Sequence, residues 1–307
     1  MGKIAFLFSG QGAQRAGMGK EFYEQIASVR SLFDAAEEYR PGTLRQLFSG
    51  SEEELRRTEN TQPCLYLADI AAAMALREQG ILPQAAAGFS LGELPALAFA
   101  GAFDPLAGFC LACARGTYMA AAAADTDAGM AAIVRLPDET VERLCAKYPH
   151  VHPVNYNCDG QLAVAGDRGE LELLYQDVAA AGGRSMPLNV SSAFHSPYMD
   201  AAAEHFGAYL SNVPLQQPAL AVYSNFTAQP YTSEVRQLLM RQINHPVRWK
   251  TILHTLQEQG FDTFIECGVG GVLCRLTRKN LTNCRAYTIE NMQDLRKLCE
   301  EVLTPCP

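Results

Sequence analysis

Ser90 lies in Gly88-Phe89-Ser90-Leu91-Gly92, a G-x-S-x-G pattern that can carry nucleophilic chemistry. An apolar run, Gln84 to Phe89, precedes it, and a helix-forming stretch rich in Leu and Ala follows. A tight strand-to-helix turn of this kind lifts a serine hydroxyl to the C-terminal edge of a sheet. Glycines flank it because a Cβ there would strike neighbouring backbone. The helix behind the serine aims free N–H groups at a developing oxyanion. The same five residues equally fit a serine that caps a helix after a core strand.

A serine at its ordinary pKa needs a base to take its proton. Six histidines are available. His150 and His152 are flanked by Pro149 and Pro153, His205 and His254 fall in helical stretches, and His245 is in a loop. His195 follows the small apolar run Val190 to Phe194 and precedes Pro197, which ranks it first by a modest margin. Asp200 is the nearest acid, but nothing in the sequence turns it toward His195. Arg115 sits in Ala112-Cys113-Ala114-Arg115-Gly116, where a charge is costly to bury without an anion. It either reaches the surface or a structural ion pair, or it grips a substrate carboxylate as a bidentate fork. Gln11-Gly12 fits an ordinary strand-helix turn as well as an oxyanion-binding one.

These residues need elements to hold them. Ile4 to Phe8 reads as a buried strand ending in a glycine-rich turn, and Met18 to Glu38 as helical. Gln62 to Gln79 reads as a long apolar helix with Pro63 in its first turn. Strands alternating with helices imply a parallel α/β sheet. The middle of the chain differs. Strand Ala131–Arg135, helix Asp138–Lys147, strands Val151–Asn157 and Leu162–Ala165, helix Glu170–Ala181 and strand Arg184–Leu188 make βαββαβ, the ferredoxin-like order. Residues 128–190 are thus expected as an inserted subdomain, with 1–127 and 191–307 forming the larger one. There, Leu220–Ser224, Thr263–Glu266 and Ala286–Ile289 are strands and Trp249–Gln259 a helix.

Composition sets the limits. The chain has 307 residues, 48% hydrophobic and 19% charged, enough apolar content for a substantial core. A net charge of −8 argues against a broad nucleic-acid surface. No apolar run is expected to span a membrane, and the short run Ile4–Phe8 is no signal peptide. Cys110 and Cys113 have CxxC spacing without a partner pair, so no metal site is expected. Reduced thiols and the missing signal imply a cytoplasmic protein.

Several separated motifs resemble the malonyl-CoA:acyl-carrier-protein transacylases and the related acyltransferase domains of polyketide synthases. They are Phe6 to Gln14, Thr61-Gln62-Pro63, Gly88 to Glu93, Arg115-Gly116 with Met119, Ser192 to Ser196, Pro246 to Trp249 and Glu266 to Gly270. The likeness spans nearly the whole chain. It implies an α/β-hydrolase-like catalytic subdomain with the ferredoxin-like insert. It implies Ser90 as nucleophile, His195 as base, and a backbone carbonyl from the loop near Arg248 orienting the imidazole. The amides of Gln11 and Leu91 would form the oxyanion hole. Arg115 would hold the malonyl carboxylate, with Phe194, Gln62, Phe89 and Asn155 lining the pocket and Asn157 nearby. Phe194 would exclude an α-methyl group. The implied partners are malonyl-CoA and an acidic acyl carrier protein, with a monomeric enzyme and no cofactor. Arg275, Arg278, Lys279 and Arg285, or Arg236, Arg241 and Lys250, are the basic runs that could meet such a carrier. The family places His where Phe89 stands and Pro where Val269 stands. A thioesterase using the same dyad and a non-catalytic docking subunit are the alternatives.

Overall fold

The computed structural model describes residues 2–124, 126–190 and 192–303, so the expected subdomain boundary at 191 lies outside the described residues. Among the described residues the strands are β1 (Lys3–Phe8), β2 (Ala85–Gly88), β3 (Ala128–Val134), β4 (Val151–Cys158), β5 (Gln161–Asp167), β6 (Arg184–Pro187), β7 (Ala221–Tyr223), β8 (Phe261–Cys267) and β9 (Arg285–Ile289). Five form a parallel sheet in the order β7-β2-β1-β8-β9. Its central strands are covered on both faces, which is why β1 reads as an unbroken apolar run.

The other four strands form an antiparallel sheet, β4-β5-β3-β6. Helices Asp138–Cys145 and Arg168–Ala180 pack on it around Ile133, Val164, Leu174 and Val178, in the ferredoxin-like arrangement. The two regions are stitched by backbone. Tyr156 N–H donates to Val247 O at 2.9 Å, and Val247 N–H to Val154 O at 2.8 Å.

Three local expectations need correction. Met18 to Glu38 is two helices, Lys20–Gln25 and Ala27–Tyr39, because Ile26 between them is extended (φ −118°). The long apolar helix starts earlier, at Thr58, so Pro63 lies inside it and not in its first turn. Within its first turn the Thr61 hydroxyl donates back to the Arg57 carbonyl at 2.9 Å. Helix Pro105–Ala123 is long and apolar enough to cross a membrane, with 19 residues and a mean hydropathy of 1.3. It packs instead against helices Thr58–Glu78 and Asp200–Leu210, with Arg115 buried in the interior.

Candidate active site

The chain turns sharply after β2. Ser90 adopts φ 55°, left-handed backbone that costs a residue with a side chain on the order of 1–3 kcal/mol. Ser90–Gly92 forms a short 3₁₀ turn, and helix Glu93–Phe99 begins at once. Both flanking glycines are forced by contact. A Cβ on Gly88 would lie 1.9 Å from the Gly92 carbonyl carbon, and one on Gly92 would lie 2.2 Å from Phe8 O.

His195 also has positive φ, 61°. Its Nε2 lies 2.7 Å from Ser90 Oγ, and its Nδ1 lies 2.9 Å from the Gln242 carbonyl oxygen. A carbonyl only accepts, so Nδ1 carries the proton and Nε2 is free to accept from the serine. Burial, reinforced by the charge of Arg115, pushes His195 down to about 4. At neutral pH the imidazole is uncharged, the form a general base requires. The orienting carbonyl comes from the end of helix Val235–Gln242 and not from the loop near Arg248. That loop instead has its Arg248 N–H tied to Asn225 O at 3.0 Å. Asp200 accepts from Asn244 Nδ2 at 2.8 Å and so serves another residue.

Arg115 reaches the same point from helix Pro105–Ala123 and is only 2% exposed, so it does not run to the surface. Nη1 donates to Gln62 Oε1 at 2.9 Å; Nη2 donates to Gln242 Oε1 at 2.8 Å and to Ser90 Oγ at 3.2 Å. Its partners are therefore neutral oxygens. Among the described residues no carboxylate forms an ion pair with it. Burial lowers its pKa to about 10, while the more distant Glu93 works in the opposite direction.

A cavity of about 120 Å³ brings together Gln11, Gln62, Phe89, Ser90, Leu91, Arg115, Asn155, Phe194 and His195. It opens on one side toward a cleft of about 590 Å³ beside Arg57, sharing Arg56, Asn189 and Val190 with it. On the other side Gln11, Phe89 and Asn155 also border a cavity of about 270 Å³, where Asn157 lies. Phe89 meets Trp249 edge-on at 5.5 Å, so its ring joins the packing beneath the turn. Val269 is buried between Gly268 and Gly270, both with positive φ.

Sequence reasoning missed four residues. The Gln242 side chain donates to the Ser90 carbonyl as well as accepting from Arg115. Glu93 is fully buried and accepts from the Asn225 N–H and, at 2.9 Å, from the Tyr231 hydroxyl. Burial pushes its carboxyl up to about 8. Glu93 closes the motif Gly88 to Glu93, but no role was read for it there. Gln242, Asn225 and Tyr231 carry no local signal, since each acts on residues more than a hundred positions away.

A serine placed this way, on an α/β sheet and beside a neutral imidazole, fits the class of enzymes that move acyl groups. Comparison with known proteins narrows the class. The acyl transferase domain family matches residues 5–297, and the chain belongs to that family. It is 38% identical over 297 residues to the malonyl CoA-acyl carrier protein transacylase of Bacillus subtilis, covering 94% of this chain and 93% of the relative. A polyketide biosynthesis malonyl CoA-acyl carrier protein transacylase of the same organism is 35% identical over 285 residues, covering 90% and 96%. Among solved structures, the malonyl CoA-acyl carrier protein transacylase of Clostridium perfringens superposes with a TM-score of 0.94 at 32% identity, covering 98% of this chain and 97% of the other. A malonyl-transacylase in complex with its type II PKS acyl-carrier protein gives 0.93 at 31% identity, covering 97% and 99%.

Proposed function

We propose that this acyltransferase moves a malonyl group from malonyl-CoA to the phosphopantetheine thiol of an acyl carrier protein, through a malonyl ester on Ser90. The observation that carries the reading is Arg115: a buried guanidinium without an ionic partner among the described residues, 3.2 Å from the nucleophile. A site with that charge favours an acyl group ending in a carboxylate. A neutral acyl group would leave the arginine unpaired.

Ser90 Oγ attacks the thioester carbonyl while His195 Nε2 takes its proton. The Gln11 and Leu91 amides face the oxyanion. The intermediate collapses, the C–S bond breaks, and the proton passes from His195 to the departing CoA sulfur. The carrier's thiol then gives its proton to Nε2 and attacks the ester. The C–O bond breaks and Oγ recovers the proton. Arg115 keeps the carboxylate fixed through both halves. Phe194, buried beside His195, narrows the space next to the α-carbon.

Of the two basic runs, the C-terminal one is better placed to receive an acidic carrier. Helix Val272–Asn280 carries Arg275, Arg278 and Lys279, and its Val272, Leu273 and Leu276 border the 270 Å³ cavity. In the other run Lys250 is already paired with Asp138 at 2.5 Å and Asp159 at 3.0 Å. Intact-mass measurement after exposure to malonyl-, methylmalonyl- and acetyl-CoA tests the reading. Only malonyl should load Ser90 efficiently, and holo carrier protein should discharge it faster than water does. Equal loading by acetyl-CoA removes the specificity, and faster discharge to water makes the protein a hydrolase.

A further inference from the structure

The serine turn does not hold itself. Asn225 follows β7 and is completely buried. Its Oδ1 accepts the Ser90 N–H at 2.7 Å, and its Nδ2 donates to the Gly88 carbonyl at 2.7 Å. One carboxamide thus spans the turn across the residue with left-handed backbone. The Asn225 N–H donates to Glu93, on the helix that leaves the turn, and its carbonyl accepts from Arg248 N–H at 3.0 Å. A compact loop presents it. Ser224 N–H bonds Gln229 O at 2.9 Å, Ala228 N–H bonds Ser224 O at 2.8 Å, and Ala228 itself has φ 56°.

Chemistry explains the choice of side chain. Asparagine is the shortest side chain that offers an acceptor and a donor on one planar group whatever the pH. Aspartate keeps the acceptor but, when ionised, sets a negative charge against the Gly88 carbonyl. Alanine loses both contacts. Capturing the Ser90 N–H also removes that group from the oxyanion, which leaves Leu91 and Gln11 as its amide donors.

We propose that Asn225 is a positioning residue: its carboxamide splints the turn between Gly88 and Ser90 and holds Oγ in line with His195 Nε2. The proposal rests on Ser90 being the reactive serine. It is tested with a fluorophosphonate, which reports the reactivity of that hydroxyl whatever acyl group it normally carries. Asn225→Asp should slow both fluorophosphonate labelling and malonyl loading by about 10²-fold at about pH 9, where the carboxyl is ionised despite its burial, with KM for malonyl-CoA within about twofold. At about pH 5.5 the same variant should recover about tenfold, because a protonated carboxyl regains the donor toward Gly88 O. The charged and titratable residues around position 225 are Glu93 and Tyr231 on one side, Arg248 at its carbonyl, and His195 and Arg115 beyond Ser90. Wild type should show no such recovery, and Asn225→Ala should be slow at both pH values. If the alanine variant does not fold, the isosteric aspartate decides alone. An aspartate variant that labels at the wild-type rate, or whose loss is the same at both pH values, overturns the proposal. Normal fluorophosphonate labelling of wild type without malonyl loading would instead sink the malonyl reading and leave this one standing.

Discussion

The parallel-sheet region and the inserted antiparallel region are built by different rules. Every polar or charged residue that is fully buried, among the described residues, belongs to the first: Glu93, Arg115, His195, Asn225 and Gln242 are examples, and residues 128–190 contribute none. Both Ser90 and His195 stand in left-handed backbone. The insert has one such residue without a glycine's freedom, Arg135, in the turn against Gly160. Its core is Ile133, Leu162, Val164, Leu174 and Val178, an ordinary apolar cluster. One region therefore stores strain and buried polarity around a reaction centre. The other supplies packing and lends the cavity part of its rim, through Met130, Asn155, Leu188, Asn189 and Val190.

Separating the two in one molecule is the strongest way to press this contrast. Ser90→Gly should abolish acyl loading, by at least about 10⁴-fold, and yet raise stability by about 1 kcal/mol by relieving the φ of 55°. Intact mass and a thermal melt read the two effects, and a variant that melts lower than wild type would deny the strain. Arg115→Ala should cost malonyl loading about 2–5 kcal/mol while acetyl loading falls much less. Equal losses for both acyl groups would make the arginine structural. In the insert the pattern should reverse. Leu174→Ala, at a fully buried position, should lower stability by about 2–5 kcal/mol and leave kcat per folded molecule unchanged.

Milder effects follow from protonation. On the proposed mechanism His195 acts as base only when neutral, and its pKa is lowered to about 4, so kcat/KM should hold through neutral pH and fall as pH drops toward 4. Arg115 should lose its charge only near pH 10, closing the profile on the alkaline side. A half-point near the usual histidine value would mean the imidazole is better solvated than its burial implies. The smallest effect belongs to the surface. Lys279→Glu should reduce transfer to carrier protein by about tenfold or less and leave hydrolysis of the acyl-enzyme untouched.

The sequence displayed the alternation of strand and helix, the βαββαβ insert and the serine turn, because each is a local pattern of apolar spacing and glycine. It also showed Arg115 as anomalous among alanines. Pro63 and the break at Ile26 were harder, since neither boundary carries a local signal: Ile26 and Arg57 start their helices with no side-chain cap. The orienting carbonyl of Gln242 was unreadable in principle: any residue has a carbonyl, and only the fold says which one faces His195. Asn225 and Tyr231 were hidden for a related reason. Their partners Ser90 and Glu93 lie across the sheet, and an asparagine after a short strand looks like any turn residue.

The order of strands carries a last consequence, for the timing of assembly on the ribosome. β1 sits between β2 and β8, so the main sheet cannot close until Cys267 has been made. The clamp from Asn225 arrives well after the serine it holds, and the carbonyl from Gln242 after the histidine it orients. The insert uses only contiguous chain from Ala128 to Pro187 and can close first, since short-range pairings cost less loop entropy. A nascent chain should thus carry a finished small unit and an unarmed serine at the same time. Arrested chains ending near residue 230 should resist protease across the insert while Ser90 stays silent to a fluorophosphonate.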